Sequence, residues 1–346
     1  NIQVAVRSSA IAEDLPDASF AGQQDTFLNI INFEDLLVSI KKCFSSLFNS
    51  RAISYRHSNN ISIDQIKISV GIQKMVRSDI GSSGVAFSLD PESGYSNVVV
   101  INSTFGLGEL LVSGGVKPDE IIIDKRVCEK INFDPIIMKK LGSKNTKIIY
   151  DNNSITEVDT NLIEKISFSL ENNKSIELAR NVILLEKNYL KLFKKNIAVD
   201  IEWALDGLDN ELYILQSRPE TIHSNTTNKI LEKNELLDKG EVILEGVSVG
   251  EKISTGKVNI LKDVSEYSKF IEGEILVTEM TTPDWEPIMK KSNGIITNKG
   301  GRTCHAAIVA REMGLNAIVG TGDGVEILKK YENITLSNSE GERCKV

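Results

Sequence analysis

The chain has 346 residues, 41% of them hydrophobic, and a formal net charge of −8 at pH 7. This length exceeds one average domain, and the acidic balance excludes a broadly basic surface for nucleic acid or for a membrane. No apolar stretch approaches the roughly 18 residues that would indicate a transmembrane helix. We therefore expect a cytoplasmic protein of two or three domains, in which local basic groups hold any anionic ligand.

Four cysteines lie far apart in the chain and form no Cys-x-x-Cys pair, so neither a zinc site nor a disulfide framework is indicated. We expect free thiols at Cys43, Cys128, Cys304 and Cys344. The chain begins at Asn1, without a methionine, and continues at once into a strand-like alternation. This start indicates a piece of a longer protein.

The first segment alternates apolar and polar residues over 3–6, which predicts a strand, and continues into a polar loop over 7–24. A helix is predicted over 34–56, because apolar residues recur there at intervals of three and four. We expect the apolar face of this helix to be buried; it consists of Leu37, Ile40, Phe44, Leu47 and Phe48.

Between residues 66 and 220, β-rich runs alternate with turns and one long helix, which predicts a mixed sheet covered by helices. The stretch 139–173 is rich in Lys and Asn and predicts surface loops and a hairpin. A second hairpin is predicted where two strand-like runs flank a turn of Asp, Gly and Asn. The predicted elements are strands 68–72, 84–88 and 97–101, helix 175–193, and hairpin strands 199–205 and 211–216.

Residues 224–237 are rich in Ser, Thr, Asn and Lys, a composition typical of a linker. We therefore place a domain boundary there, between residues 1–223 and 238–346. The second domain contains short strands and one helix, and it is an α/β unit of ordinary size. Its predicted strands are 242–254, 256–261, 274–277, 294–297 and 317–319.

One of the three histidines, His305, follows a glycine pair at the predicted start of that helix. Unpaired N–H groups and the dipole at a helix start favour a phosphate, and a neutral imidazole is a nucleophile near pH 7. Gly300 and Gly301 let the backbone approach such a phosphate, while Arg302 and Thr303 add hydrogen-bond donors. A lone histidine more often caps a helix or packs in a core, but the coincidence of these features favours a phosphohistidine.

A second group of polar residues lies on the predicted hairpin. Asp200 and Glu202 share one face of a strand, and antiparallel pairing brings Gln216 beside them, with Arg218 nearby. Oxygen ligands of this kind suit Mg²⁺ on a polyphosphate. From the spacing alone, a solvated hairpin face with an ordinary ion pair explains these residues equally well.

Two further segments are candidates for phosphate binding: Arg7, at the end of the first strand, and the loop rich in Gly and Ser at 78–84. A simple hairpin turn explains the loop as well as phosphate binding does. Turn residues also dominate 106–109 and 114–120. Two prolines predict a rigid loop at 281–287, to which the residue types assign no chemistry.

In this order, these segments closely resemble the phosphoenolpyruvate synthase family of PEP-utilising enzymes, also called pyruvate, water dikinases. The resemblance extends over nearly the whole chain, and the histidine segment 297–305 is its most specific part. The other matching segments are 4–10, 13–23, 73–78, 200–203, 216–220 and 283–290.

The resemblance implies an α/β fold with an ATP-grasp nucleotide-binding domain, without its N-terminal lobe, and a swivelling phosphohistidine domain. In this family ATP gives its terminal diphosphate portion to the histidine, water takes the outer phosphate, and the remaining phosphoryl group passes to pyruvate. The products are phosphoenolpyruvate, AMP and phosphate. Pyruvate is bound by a C-terminal barrel that lies beyond this chain, and the parent protein could be a homodimer.

The resemblance also implies roles for individual residues. It makes His305 the phosphoryl carrier and makes Glu202 and Gln216 the ligands of Mg²⁺. The residues that support the phosphohistidine are Gly300, Gly301, Arg302 and Thr303. The ATP-binding residues are Arg7, Gln73, Met75, Val76, Ser83, Gly84, Asp200 and Arg218.

Two alternatives stay open from the sequence. The chain is a phosphocarrier module or inactive remnant that cannot load itself, because half of the ATP clamp is missing, or its parent is a related phosphotransferase with another acceptor. In every case a histidine that serves two sites must move, and we expect the linker to act as the hinge.

Overall fold

The sheets of the protein fall into two groups along the chain, one before residue 220 and one after residue 244. The computed structural model describes residues 2–10, 14–15, 18–19, 25–58, 62, 66–128, 130, 133–151, 154–220, 234–237, 240–250, 252–302, 304–339 and 343–346. The fold is mixed α/β, as the sequence predicts. In these residues no helix has both the length and the apolar character needed to cross a membrane.

The first group contains a three-stranded sheet, a six-stranded sheet and two short ladders. Its strands are β1 (Val4–Ala10), β2 (Asp14–Leu15), β3 (Ala18–Ser19), β4 (Thr26–Ile30), β5 (Ile68–Lys74), β6 (Ser82–Phe87), β7 (Val98–Phe105), β8 (Asp119–Asp124), β9 (Ile136–Lys140), β10 (Thr146–Asp151), β11 (Ser154–Asp159), β12 (Val199–Leu205) and β13 (Leu212–Pro219). Its helices are α1 (Phe33–Ser45), α2 (Ser50–Ser58), α3 (Glu109–Ser113), α4 (Leu162–Ile166) and α5 (Asn172–Phe193).

The six-stranded sheet, in the order β13-β12-β6-β7-β8-β9, is antiparallel throughout and carries the main core of this half. Helix α5 covers one face, where Leu178 and Val182 pack with Ile101, Ile121 and Trp203. Both predicted hairpins are present, β10–β11 in the Lys-rich stretch and β12–β13 after α5.

The first strand and the first helix differ from the sequence prediction. Strand β1 continues through Ala10, into the predicted loop, because each of its residues pairs with one of β5. Residues 34–56 form two helices, separated by a 3₁₀ turn over Ser46–Phe48. Most of the rest of the predicted 7–24 loop, from residue 11 onward, lies outside the described residues.

The expected burial of the apolar helix face is wrong for three of its five residues, whereas Ile40 and Leu47 are half-buried. Leu37 and Phe44 are exposed, and Phe48 is 63% exposed. The small side chains Ser39 and Cys43 face β1 instead, with the Cys43 thiol donating to the Val6 carbonyl. Small residues let the helix approach the sheet closely, so the larger apolar residues point away from it.

The second group is a closed barrel in the order β14-β18-β17-β16-β15-β19-β20. Its strands are β14 (Glu245–Val249), β15 (Ile253–Ile260), β16 (Ile275–Thr278), β17 (Gly294–Thr297), β18 (Ala317–Val319), β19 (Asn333–Ser337) and β20 (Arg343–Lys345). Its helices are α6 (Glu286–Met289), α7 (His305–Glu312) and α8 (Gly324–Leu328). The sequence prediction missed α6, α8, β19 and β20. The predicted domain boundary stays a prediction, and most of the linker lies outside the described residues.

A fully buried ion pair connects the start of β8 with the loop between β9 and β10. Lys144 and Asp119 are both 0% exposed and contact each other directly. Asp119 also accepts hydrogen bonds from Gly142 N and from the N and Oγ of Ser169 at 2.8 Å. Lys144 therefore supplies the positive charge that compensates the buried carboxylate of Asp119.

We predict that Lys144→Met lowers the free energy of unfolding by about 3–5 kcal/mol, because it leaves the Asp119 carboxylate buried without a counter-charge. Urea denaturation measures this loss. The matched control is Lys329→Met, which removes an exposed pair with Glu326 and should cost about 1 kcal/mol or less. Equal losses in the two variants would contradict the prediction.

Candidate active site

A cavity of about 720 Å³ lies between the first group of sheets and the barrel. The barrel contributes Thr281, Thr282, Pro283, His305, Ile308 and Val309 to its wall. The sequence-predicted residues in the wall are Arg7, Gln73, Met75, Val76, Ser83, Gly84, Glu202 and His305. The fold therefore brings together residues that are up to about 300 positions apart in the sequence.

His305 is the first residue of α7, as the sequence predicts, with Cys304 as the N-cap in extended conformation. Its Nδ1 lies 2.9 Å from the Thr281 hydroxyl, and the side chain is buried. Among the described residues, none forms a hydrogen bond with its Nε2. Burial lowers the pKa of His305 to about 4, so the imidazole is neutral at pH 7.

The glycine pair allows close packing of the histidine loop. Gly300 has φ = 115°, and a Cβ on it would lie 2.7 Å from the Cys304 sulfur. Gly114, the C-cap of α3 with φ = 80°, packs on the other side of Cys304, where a Cβ would lie 2.5 Å from the Cys304 Cβ. Gly300, Gly301 and Arg302 are outside the cavity wall, and Thr303 lies outside the described residues.

Arg7 connects the two residues that the resemblance assigns to a metal. The strand register pairs Glu202 with Gln216, as the alternation predicts. Arg7 Nη2 donates to Glu202 Oε2 and to Gln216 Oε1, each at 2.7 Å. Two oxygens therefore converge on one positive charge beside the cavity.

Asp200 and Arg218 are opposite each other in the same hairpin but lie outside the cavity wall. Arg218 Nη2 is 3.4 Å from Asp200 Oδ2. Burial raises the pKa of Asp200, and Arg218 opposes that rise. No group of three or more His, Cys, Asp or Glu side chains in the described part of the chain is arranged to hold a metal. A cation at this position would need oxygen atoms from Glu202, from Gln216 and from a molecule bound in the cavity.

The segment 78–84 is not the loop that the sequence predicts. Residues 78–80 form a 3₁₀ turn, and Ser83 and Gly84 lie in β6, between β12 and β7. A strand with neighbours on both sides uses its backbone groups in the sheet, so it cannot wrap a phosphate with consecutive N–H groups. At Gly84 a Cβ would lie 1.9 Å from the Asn102 carbonyl oxygen. Glycine is therefore required here because the backbones of β6 and β7 approach each other closely.

Sequence reasoning missed three residues of this region. Thr281, which contacts His305, lies in the loop that was expected only to be rigid. Glu92 Oε2 accepts from Arg311 Nη2 at 2.5 Å, and its Oε1 accepts from Gly250 N at 2.8 Å. Arg311 Nη1 also donates to the Arg302 carbonyl at 2.5 Å. Glu92 and Arg311 therefore connect the first group of sheets with the barrel. The sequence signal that could have identified Glu92 is its position as a carboxylate in a turn.

The depressed pKa of His305 makes stability depend on pH. Between about pH 6.5 and pH 4 the unfolded chain binds a proton at His305 that the folded chain does not, so stability falls as the pH falls. We predict that the His305 contribution lowers the free energy of unfolding by about 2 kcal/mol at pH 5 relative to pH 7. Urea denaturation at both pH values measures it. In His305→Gln this decrease in the free energy of unfolding between pH 7 and pH 5 should disappear. An unchanged pH dependence in the variant would contradict the assignment of the decrease to His305.

Two known protein families match this chain, one in each half. Residues 1–239 match the family described as pyruvate phosphate dikinase, AMP/ATP-binding domain. Residues 270–341 match the family described as PEP-utilising enzyme, mobile domain.

Several curated proteins are similar over nearly the whole chain. A phosphoenolpyruvate synthase of Aquifex aeolicus is 50% identical over 99% of this chain and 40% of its own length. Those of Escherichia coli and Synechocystis are each 46% identical, over 99% and 100% of this chain and over 43% and 42% of their own lengths. The chain thus spans about two fifths of the curated relatives it matches.

Proposed function

We propose, because this chain belongs to the family of the pyruvate phosphate dikinase AMP/ATP-binding domain, that its cavity binds ATP and that His305 receives a phosphoryl group there. The parent protein then passes this group to pyruvate and forms phosphoenolpyruvate. The observation that carries the proposal is the position of His305 in one cavity wall with Arg7 and Glu202.

The contacts of His305 support Nε2 as the attacking atom. With the ring proton on Nδ1, donated to the Thr281 hydroxyl, Nε2 keeps its lone pair. This lone pair attacks the β-phosphorus of ATP. The Nε2–P bond forms as the bond from that phosphorus to the α,β-bridging oxygen breaks, and AMP leaves with the electron pair. Water then takes the outer phosphate, and one phosphoryl group stays on His305.

The charges around the cavity suit a polyphosphate. Arg7 offers a guanidinium that forms charge-assisted hydrogen bonds with phosphate oxygens. Its Nη2 lies 2.7 Å from both Glu202 Oε2 and Gln216 Oε1, which supports these two oxygens as ligands of one cation. We propose that they hold Mg²⁺, which neutralises phosphate charge when bound. The supporting roles of Gly300, Gly301, Arg302, Thr303, Asp200 and Arg218, and the contacts of Gln73, Met75, Val76, Ser83 and Gly84 with ATP, belong to this proposal.

The remaining parts of the proposal rest on the composition of the chain and on the resemblance. They are domain limits at 223 and 238, a hinge between them, a cytoplasmic location, and pyruvate as acceptor at a separate barrel. A homodimer of the parent protein belongs to the same set. The alternatives of an inactive remnant or another acceptor have no specific observation in their favour.

The proposal is tested by incubating the chain with Mg²⁺ and ATP that carries label on either the β- or the γ-phosphate. We expect acid-labile label on the protein from the β-phosphate, and release of the γ-label as inorganic phosphate. Retention of the γ-label alone would indicate an ordinary kinase step and overturn the proposal. If neither label is retained, in the chain or in the full-length parent protein, loading of His305 from ATP is refuted.

A further inference from the structure

The barrel and the first group of sheets meet at the end of α3, at a position without a side chain. Gly114, the C-cap of this helix, is buried, and its φ of 80° is left-handed. A Cβ on it would lie 2.5 Å from Cys304 Cβ, 3.3 Å from Gly300 Cα and 3.5 Å from Cys304 Sγ. All three atoms belong to the histidine loop of the barrel, so the space beside Gly114 is filled from the other half of the chain.

Two separate requirements explain a glycine at position 114. The left-handed backbone favours glycine, although asparagine adopts it as well. The approach of Cys304 leaves no room for a side chain, since carbon atoms in contact lie about 3.5–4.0 Å apart. The adjacent Gly115 differs, because the nearest atom to a Cβ there is Leu110 Cδ2, within α3 itself, at 2.8 Å. Gly114 therefore serves the contact with the barrel and not the geometry of α3 alone.

Cys304 connects this contact to His305. It is the N-cap of α7, directly before His305, and its side chain is 3% exposed within the core of the barrel. Helix α3 in turn contributes Glu109 and Val112 to the wall of the nucleotide cavity. One short helix therefore contacts both the proposed ATP site and the residue before the nucleophile. The separation of Gly114 from Cys304 thus determines how far Nε2 reaches into the cavity.

We propose that Gly114 is a positioning residue for the loading of His305 from ATP, an inference that rests on the proposed function. With no side chain between them, Cys304 packs directly against α3, and the imidazole is held at the depth at which Nε2 attacks the β-phosphorus. The contact exists only while His305 lies in the wall of the ATP cavity. Transfer between His305 and pyruvate takes place at a separate site in the proposed function and makes no use of it.

The test compares two ways of labelling His305 in the full-length parent protein. Label enters from ATP labelled at the β-phosphate, or from phosphoenolpyruvate, whose phosphoryl group passes to Nε2 as its P–O bond breaks and the released enolate takes a proton to form pyruvate. Gly114→Ala forces the histidine loop back by about 1 Å. We expect labelling from ATP to slow roughly 100-fold, the effect of such a misplacement, and labelling from phosphoenolpyruvate to keep its rate. A general loss of folding would slow both.

A complementary variant separates the steric effect from strain in the backbone. Cys304→Gly removes the Cβ that the new methyl group would meet, and glycine is acceptable at an N-cap. In that background Gly114→Ala keeps its strained φ but loses the clash, so it should slow labelling from ATP less than about threefold. The control is Gly273→Ala, because Gly273 has a similar φ of 89° and a Cβ there would meet nothing within 4 Å. This control should be labelled at the wild-type rate.

Three outcomes would overturn the proposal: an unchanged rate from ATP in Gly114→Ala, equal slowing from both donors, or equal slowing with and without Cys304→Gly. In each of them the wild type is still labelled from ATP, so the proposed function stands. If the wild type itself takes no label from β-labelled ATP, the proposed function fails, and Gly114 has no loading step to serve.

Discussion

Replacing His305 by alanine should abolish the acid-labile label that the chain acquires from β-labelled ATP. The imidazole is buried in the cavity wall, is neutral at pH 7 because burial lowers its pKa to about 4, and has an Nε2 that no described residue engages. Alanine removes the nucleophile and leaves the rest of the wall in place. Because a covalent intermediate cannot form without its nucleophile, the loss should be complete within detection. Scintillation counting after alkaline and acid treatment measures it.

The matched control for this experiment is His57→Ala. His57 is exposed in α2, outside the cavity wall, so this variant should be labelled like the wild type. Calorimetric titration with a non-hydrolysable ATP analogue should show that His305→Ala still binds nucleotide. Label that persists in His305→Ala, or that disappears in His57→Ala, would contradict the assignment of His305 as carrier.

The sequence predicted best those features that depend on local pattern. Strands β12, β17 and β18 have the predicted bounds, because each is a short apolar or alternating run ended by turn residues. The hairpin register between Glu202 and Gln216 follows from the same alternation. The helix start at His305 was predictable from the glycine pair and the apolar run after it.

Features that depend on the approach of distant segments could not be predicted in this way. Thr281 and His305 are 24 residues apart, and Glu92 and Arg311 are 219 residues apart. The apolar face of α1 was misassigned because periodicity identifies a face but not the size of the residues that fit against a neighbouring sheet. Similarly, the sequence places Gly84 where a predicted loop meets a predicted strand, but it does not show that a glycine is needed there because β6 passes close to Asn102.

Glu92→Gln should slow the labelling of His305 without weakening nucleotide binding. Glu92 is outside the cavity wall, so the affinity for a non-hydrolysable ATP analogue should not change. The ion pair with Arg311 is largely buried, with side chains 18% and 7% exposed. Loss of one partner of such a pair costs about 2 kcal/mol or more, which corresponds to a roughly 30-fold smaller population of the arrangement with His305 in the cavity wall.

A double-mutant cycle separates this joining role from a local effect on folding. If Glu92 acts through Arg311, Arg311→Met should also slow labelling, and the double variant should be no slower than the worse single variant. The control Glu326→Gln breaks an exposed pair with Lys329 and should label at the wild-type rate. Additive losses in the cycle, or a loss of nucleotide affinity in Glu92→Gln, would contradict the prediction. Arg311 also donates to the Arg302 carbonyl, so the pair with Glu92 connects the histidine loop to the first group of sheets, and its loss should affect both the loop and the position of the barrel.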